Sequence, residues 1–414
     1  MLDRSASSAD APISLADAHR AVLAAAQPLG TEDVALGDAL GRVLACDLHA
    51  ADDLVPFARS AMDGFAVRAS DVVPGTRLPL AAAPVFAERG EAVHQPGTAT
   101  PIGTGAALPK GADAVVPIER VRVEADAVRV FEPMEPGAHV FPAGEDARRG
   151  ERILRAGTEL RAGSIGLAAA AGFATLPVVR RPRVAVVCTG SELVPVEATP
   201  GQGEIRESNG TMLAAALKAA GADVVAVRTV RDDPAAVQQA LREACDGADV
   251  VITSGGASVG ERDYVKAAWR AAGAQFAFTS VAIRPGRPVG FARRGDTLVF
   301  VLPGNPAAAF VCFFVLVRPA LLRLSGSEQP MLPSVRARLS GRLQGKEQRT
   351  FFAFATLRLN PKGLVATVLD NQCSSLTRTA SDANALIVIP PGCGERSDGD
   401  KIDAIVLDAR ATFA

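Results

Sequence analysis

Between residues 182 and 325 short apolar, β-branched runs alternate with longer amphipathic ones, and this rhythm restricts the possible folds more than any other feature of the chain. RVAVVCT, DVVAVRTV, DVVIT and LVFVLP read as strands. Between and after them NGTMLAAALKAAG, DDPAAVQQALREAC, DYVKAAWRAAG and PAAAFVCFFVLVRPALL read as helices, with Asp233 the N-cap of the second and Pro234 at its first position. Strands separated by helices must run mostly parallel, with helices covering both faces of the sheet. Ligands of such doubly wound sheets gather where the strands end at their carboxyl edge.

The residues just beyond each strand are unusual as a set. Thr189-Gly190-Ser191-Glu192 comes after the first, Arg231-Asp232-Asp233 after the second, and Ser254-Gly255-Gly256, with Asp263 beyond, after the third. Pro303-Gly304-Asn305-Pro306 ends the last strand and leads directly into a helix. All four loops belong on one edge of the sheet, which gathers hydroxyls, backbone N–H groups, a helix N-terminus and several carboxylates. That combination suits a phosphorylated ligand bridged by magnesium. Arg284 and Arg287, in IRPGRP, add cations suited to oxyanions, or else decorate a solvated hairpin. Glu192 reads equally as an ordinary surface carboxylate, and Asp233 is explained by its cap position, whereas Asp232 has no such structural reason to be there.

A chain of 414 residues should divide into two to four domains. Residues 13–50 show helical spacing, with Ser14 as N-cap, and residues 151–181 return to it; together they read as a discontinuous helical linker domain. The Pro- and Gly-rich stretch 51–150, inserted between them, reads as an all-β domain. It carries SAMDGFA with Asp63, GTGA with Thr104, and GED with Asp146, all of which also read as plain turns. Residues 182–326 form the doubly wound domain, and 327–414 a C-terminal β-domain or barrel.

Several function classes are disfavoured. With 44 Lys and Arg against 45 Asp and Glu, the net charge is −1, and there is one Trp and one Tyr, so neither a basic field nor stacking platforms point to nucleic acid. The six cysteines make no CxxC pair and the four histidines no HxxxH, so any metal site is expected to use hard oxygen donors. The N-terminus has no apolar signal segment, and the longest apolar run, 306–317, is twelve residues against a bilayer core of about 30 Å. A cytoplasmic protein with a buried helix there is the expectation.

Nine motifs in order resemble the molybdopterin molybdenumtransferase family, the MoeA type that occurs also as the E domain of gephyrin. They are SAMDGFAVRASD (60–71), PIGTGAALPKGADAVVPIE (101–119), AGEDARRGE (143–151), VVCTGSEL (186–193), GEIRESNG (203–210), RDDP (231–234), ITSGGASVGERDYVK (252–266), AIRPGRPVGFA (282–292) and VLPGNPAAA (301–309). Glu207 stands where the family usually has Asp-Ser-Asn. The resemblance implies a homodimer of four subdomains per chain, with a MogA-like doubly wound domain and an active site shared across subunits. It implies insertion of molybdate into adenylylated molybdopterin with magnesium-dependent cleavage of the pyrophosphate and release of AMP. Thr189, Gly190, Ser254, Gly255, Gly256, Arg284, Arg287 and Pro303, Gly304, Asn305 and Pro306 would bind the substrate. Asp63, Thr104, Asp146, Glu192, Asp232 and Asp263 would be catalytic, with Asp232 and Asp263 on the metal. Transient contact with the adenylyltransferase and with recipient molybdoenzymes is also implied, but no nucleic acid or membrane. A molybdopterin adenylyltransferase and a non-catalytic scaffold like that of gephyrin are the competing readings.

Overall fold

The computed structural model describes residues 11–81, 92–256, 264–361, 363–375 and 377–412. The chain forms two compact units. The first comprises residues up to 33, 41–45 and 177–414; the second comprises 34–40 and 46–176.

The first unit holds the doubly wound sheet. Helix α1 (Leu15–Ala25) begins at Ser14, whose hydroxyl accepts from the Asp17 N–H at 3.1 Å. Strand β1 (Arg183–Thr189), helix α2 (Asn209–Ala219), strand β2 (Asp223–Val230), helix α3 (Pro234–Ala244), strand β3 (Val250–Ser254) and helix α4 (Tyr264–Ala271) come next. Strands β4 (Gln275–Phe278), β5 (Gly290–Arg294) and β6 (Thr297–Leu302) complete the six, and helix α5 starts at Pro306. The strand order is β2-β1-β3-β6-β5-β4. The first four are parallel, and β5 and β4 add antiparallel.

The central strands are buried on both faces, which is why they read as unbroken apolar runs. Val184, Val186, Val250, Ile252, Leu298 and Phe300 enter one core with α1, α2 and α5; Ala185, Val187, Val251, Val299 and Val301 enter the other with α3 and α4. Trp269 of α4, the only tryptophan, is 0% exposed in that second core.

Asp233 caps α3, its carboxylate accepting the Ala236 N–H at 2.7 Å, with Pro234 in the first turn. Asp233→Ala should lower unfolding stability by about 1 kcal/mol, read from urea unfolding monitored by Trp269 fluorescence.

Helix α5 is longer than its apolar run. Pro306–Cys312 is α-helical, Phe313–Val317 makes a π-turn, and Arg318–Leu324 continues the helix. The resulting 19 residues are long and apolar enough to cross a bilayer, which corrects the expectation from the run alone; 72% of the apolar window is buried inside the fold, as in a core helix.

Residues 334–406 close a five-stranded barrel. Strands β7 (Ser334–Ser340), β8 (Thr350–Asn360), β9 (Gly363–Val368), β10 (Ala385–Ile389) and β11 (Lys401–Val406) pair in the ring β7-β9-β8-β10-β11, with β11 returning to β7. The short strand Ile283–Arg284, from the doubly wound region, pairs with the start of β8.

The second unit is built of short strands. Gly64–Val67 lies between Thr100–Ile102 and Ala114–Pro117, and Arg77–Pro79, Ala127–Val130 and Val121–Val123 form another sheet. Its described residues between 51 and 150 contain no α-helix. Residues 36–50, expected to be helical, instead contain a 3-10 turn at Leu36–Asp38 and the strand Leu48–His49. Helix α1 packs in the core of the first unit and helix Ala162–Ala170 belongs to the second, whereas the sequence pattern places the two segments in one linker domain.

Candidate functional site

A cleft of about 530 Å³ opens at the carboxyl ends of β1, β3 and β6. It is lined by Thr189, Gly190 and Glu192 after β1, by Asp232 after β2, by Ser254, Gly255 and Gly256 after β3, and by Pro303, Gly304, Asn305 and Pro306 after β6. The turn after β3 is confined to glycine by its crowding. Gly255 has φ +102°, and a Cβ there would stand 2.1 Å from the Thr189 carbonyl oxygen. Two strand ends thus approach each other as backbone, with no side chain between them.

The two turns are tied together from a third segment. Asn209, the first residue of α2, donates through Nδ2 to Ser254 Oγ at 2.9 Å and to the Gly304 carbonyl at 2.7 Å. Ser254 Oγ donates onward to the Pro303 carbonyl at 3.2 Å. On the other side, Asn305 Nδ2 donates to Ser374 Oγ at 3.2 Å, and the Ala307 N–H donates to the Ser374 carbonyl at 3.1 Å. The barrel's connecting loop therefore closes against the start of α5, and Ser375 lines the cleft.

Among the described residues three carboxylates reach the cleft: Glu192, Glu207 and Asp232. Asp232 accepts from the Ser191 N–H at 3.2 Å and from the Tyr264 hydroxyl, while its own N–H donates to Ser191 Oγ at 3.1 Å. Glu207 is nearly buried and accepts the Gly210 N–H at 2.7 Å, so it caps α2 from three residues upstream. Burial, with Glu207 beside it, raises the Cys188 thiol well above its usual range and keeps it neutral. No group of three or more His, Cys, Asp or Glu side chains with metal-holding geometry occurs among the described residues. Glu192 and Asp232 nonetheless provide hard oxygen donors in an open cleft, the donor type magnesium takes when substrate phosphates and water complete its shell.

Tyr264 is pushed up to about 12, first by burial and then by its hydrogen bond to Asp232, since ionising it would set two negative charges side by side. It is the only tyrosine, so phenolate absorbance reads it alone. In metal-free protein the rise should centre near pH 12 rather than 10 and move down in Asp232→Ala, which removes both the hydrogen bond and the charge of Asp232 while burial and the Glu192 charge still hold it up.

Of the residues expected at the site, eleven line this one cleft. Arg284 and Arg287 are exposed and are not among its walls; Pro288 is, and the Arg284 guanidinium lies over the Phe351 ring at 5.7 Å. Asp263 lies outside the described residues. Asp63, Thr104 and Asp146 belong to the second unit. There the Asp63 carboxylate accepts from both the Thr104 N–H at 2.7 Å and the Thr104 hydroxyl at 2.8 Å, and these bonds hold its pKa below the ordinary value. Asp146 is exposed, with no hydrogen bond to either among the described residues. Asn209 and Tyr264 fall inside two of the matching motifs without being marked there as site residues, and Ser375 lies outside all nine. Asn209 reads as an ordinary helix-start residue, and only its contacts 45 and 95 positions away reveal it.

Comparison with known proteins agrees with this architecture. Residues 13–172 match the model of the MoeA N-terminal region (domains I and II), 185–323 that of a probable molybdopterin binding domain, and 336–407 that of the MoeA C-terminal region (domain IV). The chain is 38% identical over 383 residues to molybdopterin molybdenumtransferase 2 of Mycobacterium tuberculosis, covering 89% of this chain and 93% of that one. It is 34% identical over 405 residues to the molybdopterin molybdenumtransferase of Bacillus subtilis, covering 96% and 94%. The crystal structure of a molybdopterin biosynthesis MoeA protein from Pyrococcus horikoshii superposes with a TM-score of 0.83 at 28% identity, covering 96% of this chain and 100% of that one. With three regions of one family matched in order and relatives aligned along nearly its whole length, the chain belongs to the MoeA family of molybdopterin molybdenumtransferases.

Proposed function

We propose that this protein inserts molybdate into adenylylated molybdopterin, cleaving the pyrophosphate bond and releasing AMP. The observation that carries the reading is the convergence of two glycine turns, a helix start and the Glu192 and Asp232 carboxylates in one cleft. The turns at Gly255-Gly256 and Gly304-Asn305 present backbone to the substrate's phosphates, and α5 directs the positive end of its dipole the same way. Glu192 and Asp232 would hold magnesium, which neutralises charge on the pyrophosphate oxygens. Tyr264 and the Ser191 N–H fix the orientation of the Asp232 carboxylate, so that no reorganisation is needed when charge develops.

Asp63 and Thr104, already joined by two hydrogen bonds, would be lent by a second copy of the chain, making the working unit a cytoplasmic homodimer. In this reading the dimer meets the adenylyltransferase that supplies its substrate and the molybdoenzymes that take its product only transiently. Sedimentation of the purified protein should give twice the mass of the 42.7 kDa chain.

The test is to incubate purified protein with adenylylated molybdopterin, molybdate and magnesium and to follow AMP. Release that needs both molybdate and magnesium supports the reading. Adenylylation of molybdopterin from ATP, without molybdate-dependent AMP release, would replace it by the adenylyltransferase alternative.

A further inference from the structure

Ser254 reads from the sequence as a phosphate ligand, but its hydroxyl is committed elsewhere. The residue is 2% exposed, and its single hydroxyl hydrogen goes to the Pro303 carbonyl. The lone pair facing the other way is taken by Asn209 Nδ2. In this arrangement Ser254 has no donor left to offer an anion.

Asn209 is equally committed. Its amide nitrogen has two hydrogens, one on Ser254 Oγ and one on the Gly304 carbonyl. Turning the amide over would set its oxygen against that carbonyl, so the orientation is determined by the neighbours. The remaining atom, Oδ1, is buried without a hydrogen-bond partner among the described residues. Buried acceptors are nearly always paired, and the rare exceptions call for an explanation. The unpaired oxygen here accompanies two bonds that join the end of β3 to the end of β6 from the start of α2.

We propose that Asn209 is a positioning residue for the reaction, acting with Ser254 as a clamp that holds the Gly255-Gly256 and Gly304-Asn305 turns in register around the substrate's phosphates. Neither side chain touches the ligand; the backbone that they align does. The inference rests on the reading of the cleft as a pyrophosphate site.

A direct ligand and a clamp differ in how their losses combine. The experiment is a double-mutant cycle of Asn209→Ala and Ser254→Ala in the full-length protein. Pyrophosphate affinity is read by calorimetry, kcat and KM by AMP release, and folding by Trp269 fluorescence. Asn209→Ala should weaken pyrophosphate binding about tenfold in protein that remains folded. Ser254→Ala should also weaken binding when made alone, yet cost less than about twofold when added to Asn209→Ala. Losses that multiply would make Ser254 an independent ligand and overturn the clamp. Unchanged affinity and turnover in folded Asn209→Ala would overturn it as well. If the wild-type protein binds no pyrophosphate, the reading of the cleft itself falls, a result distinguishable from either of these.

Discussion

Asp232→Ala should cut AMP release by about 10²–10³-fold while leaving the protein almost as stable as before. The residue is exposed, and the groups it bonds, the Ser191 N–H and the Tyr264 hydroxyl, can turn to water when it is gone. Exposed substitutions of this kind cost little folding energy. The catalytic loss has a different origin, because one of the two cleft carboxylates proposed to hold magnesium, Glu192 and Asp232, disappears. Its neighbour provides the control. Asp233→Ala removes a helix cap, so stability should fall and turnover should stay near normal. Adjacent acids with opposite phenotypes, one kinetic and one thermodynamic, would locate the chemistry at the first. Equal effects on turnover, or a nearly active Asp232→Ala, would remove Asp232 from the site. Magnesium titrations of the same variants sharpen the result: a lowered apparent affinity for the ion in Asp232→Ala assigns the carboxylate to the metal.

That pair of aspartates also shows what a sequence can reveal. Asp233 is legible because capping is local: an acid, then Pro234, then an amphipathic run leave little else to assign. The parallel strands are legible for a similar reason, since burial on both faces requires unbroken apolar runs such as Val250–Ile252. Residues 36–50 mislead because their helical spacing is overridden by pairing with distant chain. Leu44 bridges Val178, the Ala45 N–H donates to the Pro177 carbonyl, and Gly41 has φ +71°. Closure of the barrel is non-local too. The pairing of β8 with β10 brings Phe351 opposite Ile389, and no pattern within either strand specifies it.

The site divides in the same way. Loops after strands identify themselves by glycine, hydroxyl and carboxylate composition, and the cleft gathers them as expected. Side chains that hold those loops do not identify themselves. Asn209, Tyr264 and Ser374 act through neighbours far away in the chain, and each has an ordinary local reading. Arg284 and Arg287 are the converse: their type suits an oxyanion, yet neither belongs to the walls of the described cleft. Charge predicts what a residue would bind; only the chain path decides whether it is within reach.

Gly255→Ala should be the most damaging small substitution in the first unit, because two separate costs fall on one methyl group. The first is conformational: φ of +102° is a backbone state that an L side chain rarely adopts. The second is steric, since the new Cβ would meet the Thr189 carbonyl oxygen at 2.1 Å. Backbone on both sides leaves nothing flexible to yield, so the turn must move and carry Gly256 and the Thr189 loop with it. Gly273→Ala separates the two costs. Gly273 has φ +86° with nothing within 4 Å of where a Cβ would stand, and it comes after α4, outside the cleft walls. Gly273→Ala should lose about 1 kcal/mol of stability and retain turnover. Gly255→Ala should lose about 2–4 kcal/mol, and the fraction that folds should bind pyrophosphate at least about tenfold more weakly. The decisive comparison is made on folded protein below both melting transitions. Normal pyrophosphate affinity in Gly255→Ala would mean that the Ser254–Gly256 turn does not shape the phosphate site, and the ligand would have to be held by the Pro303–Pro306 loop and the carboxylates alone.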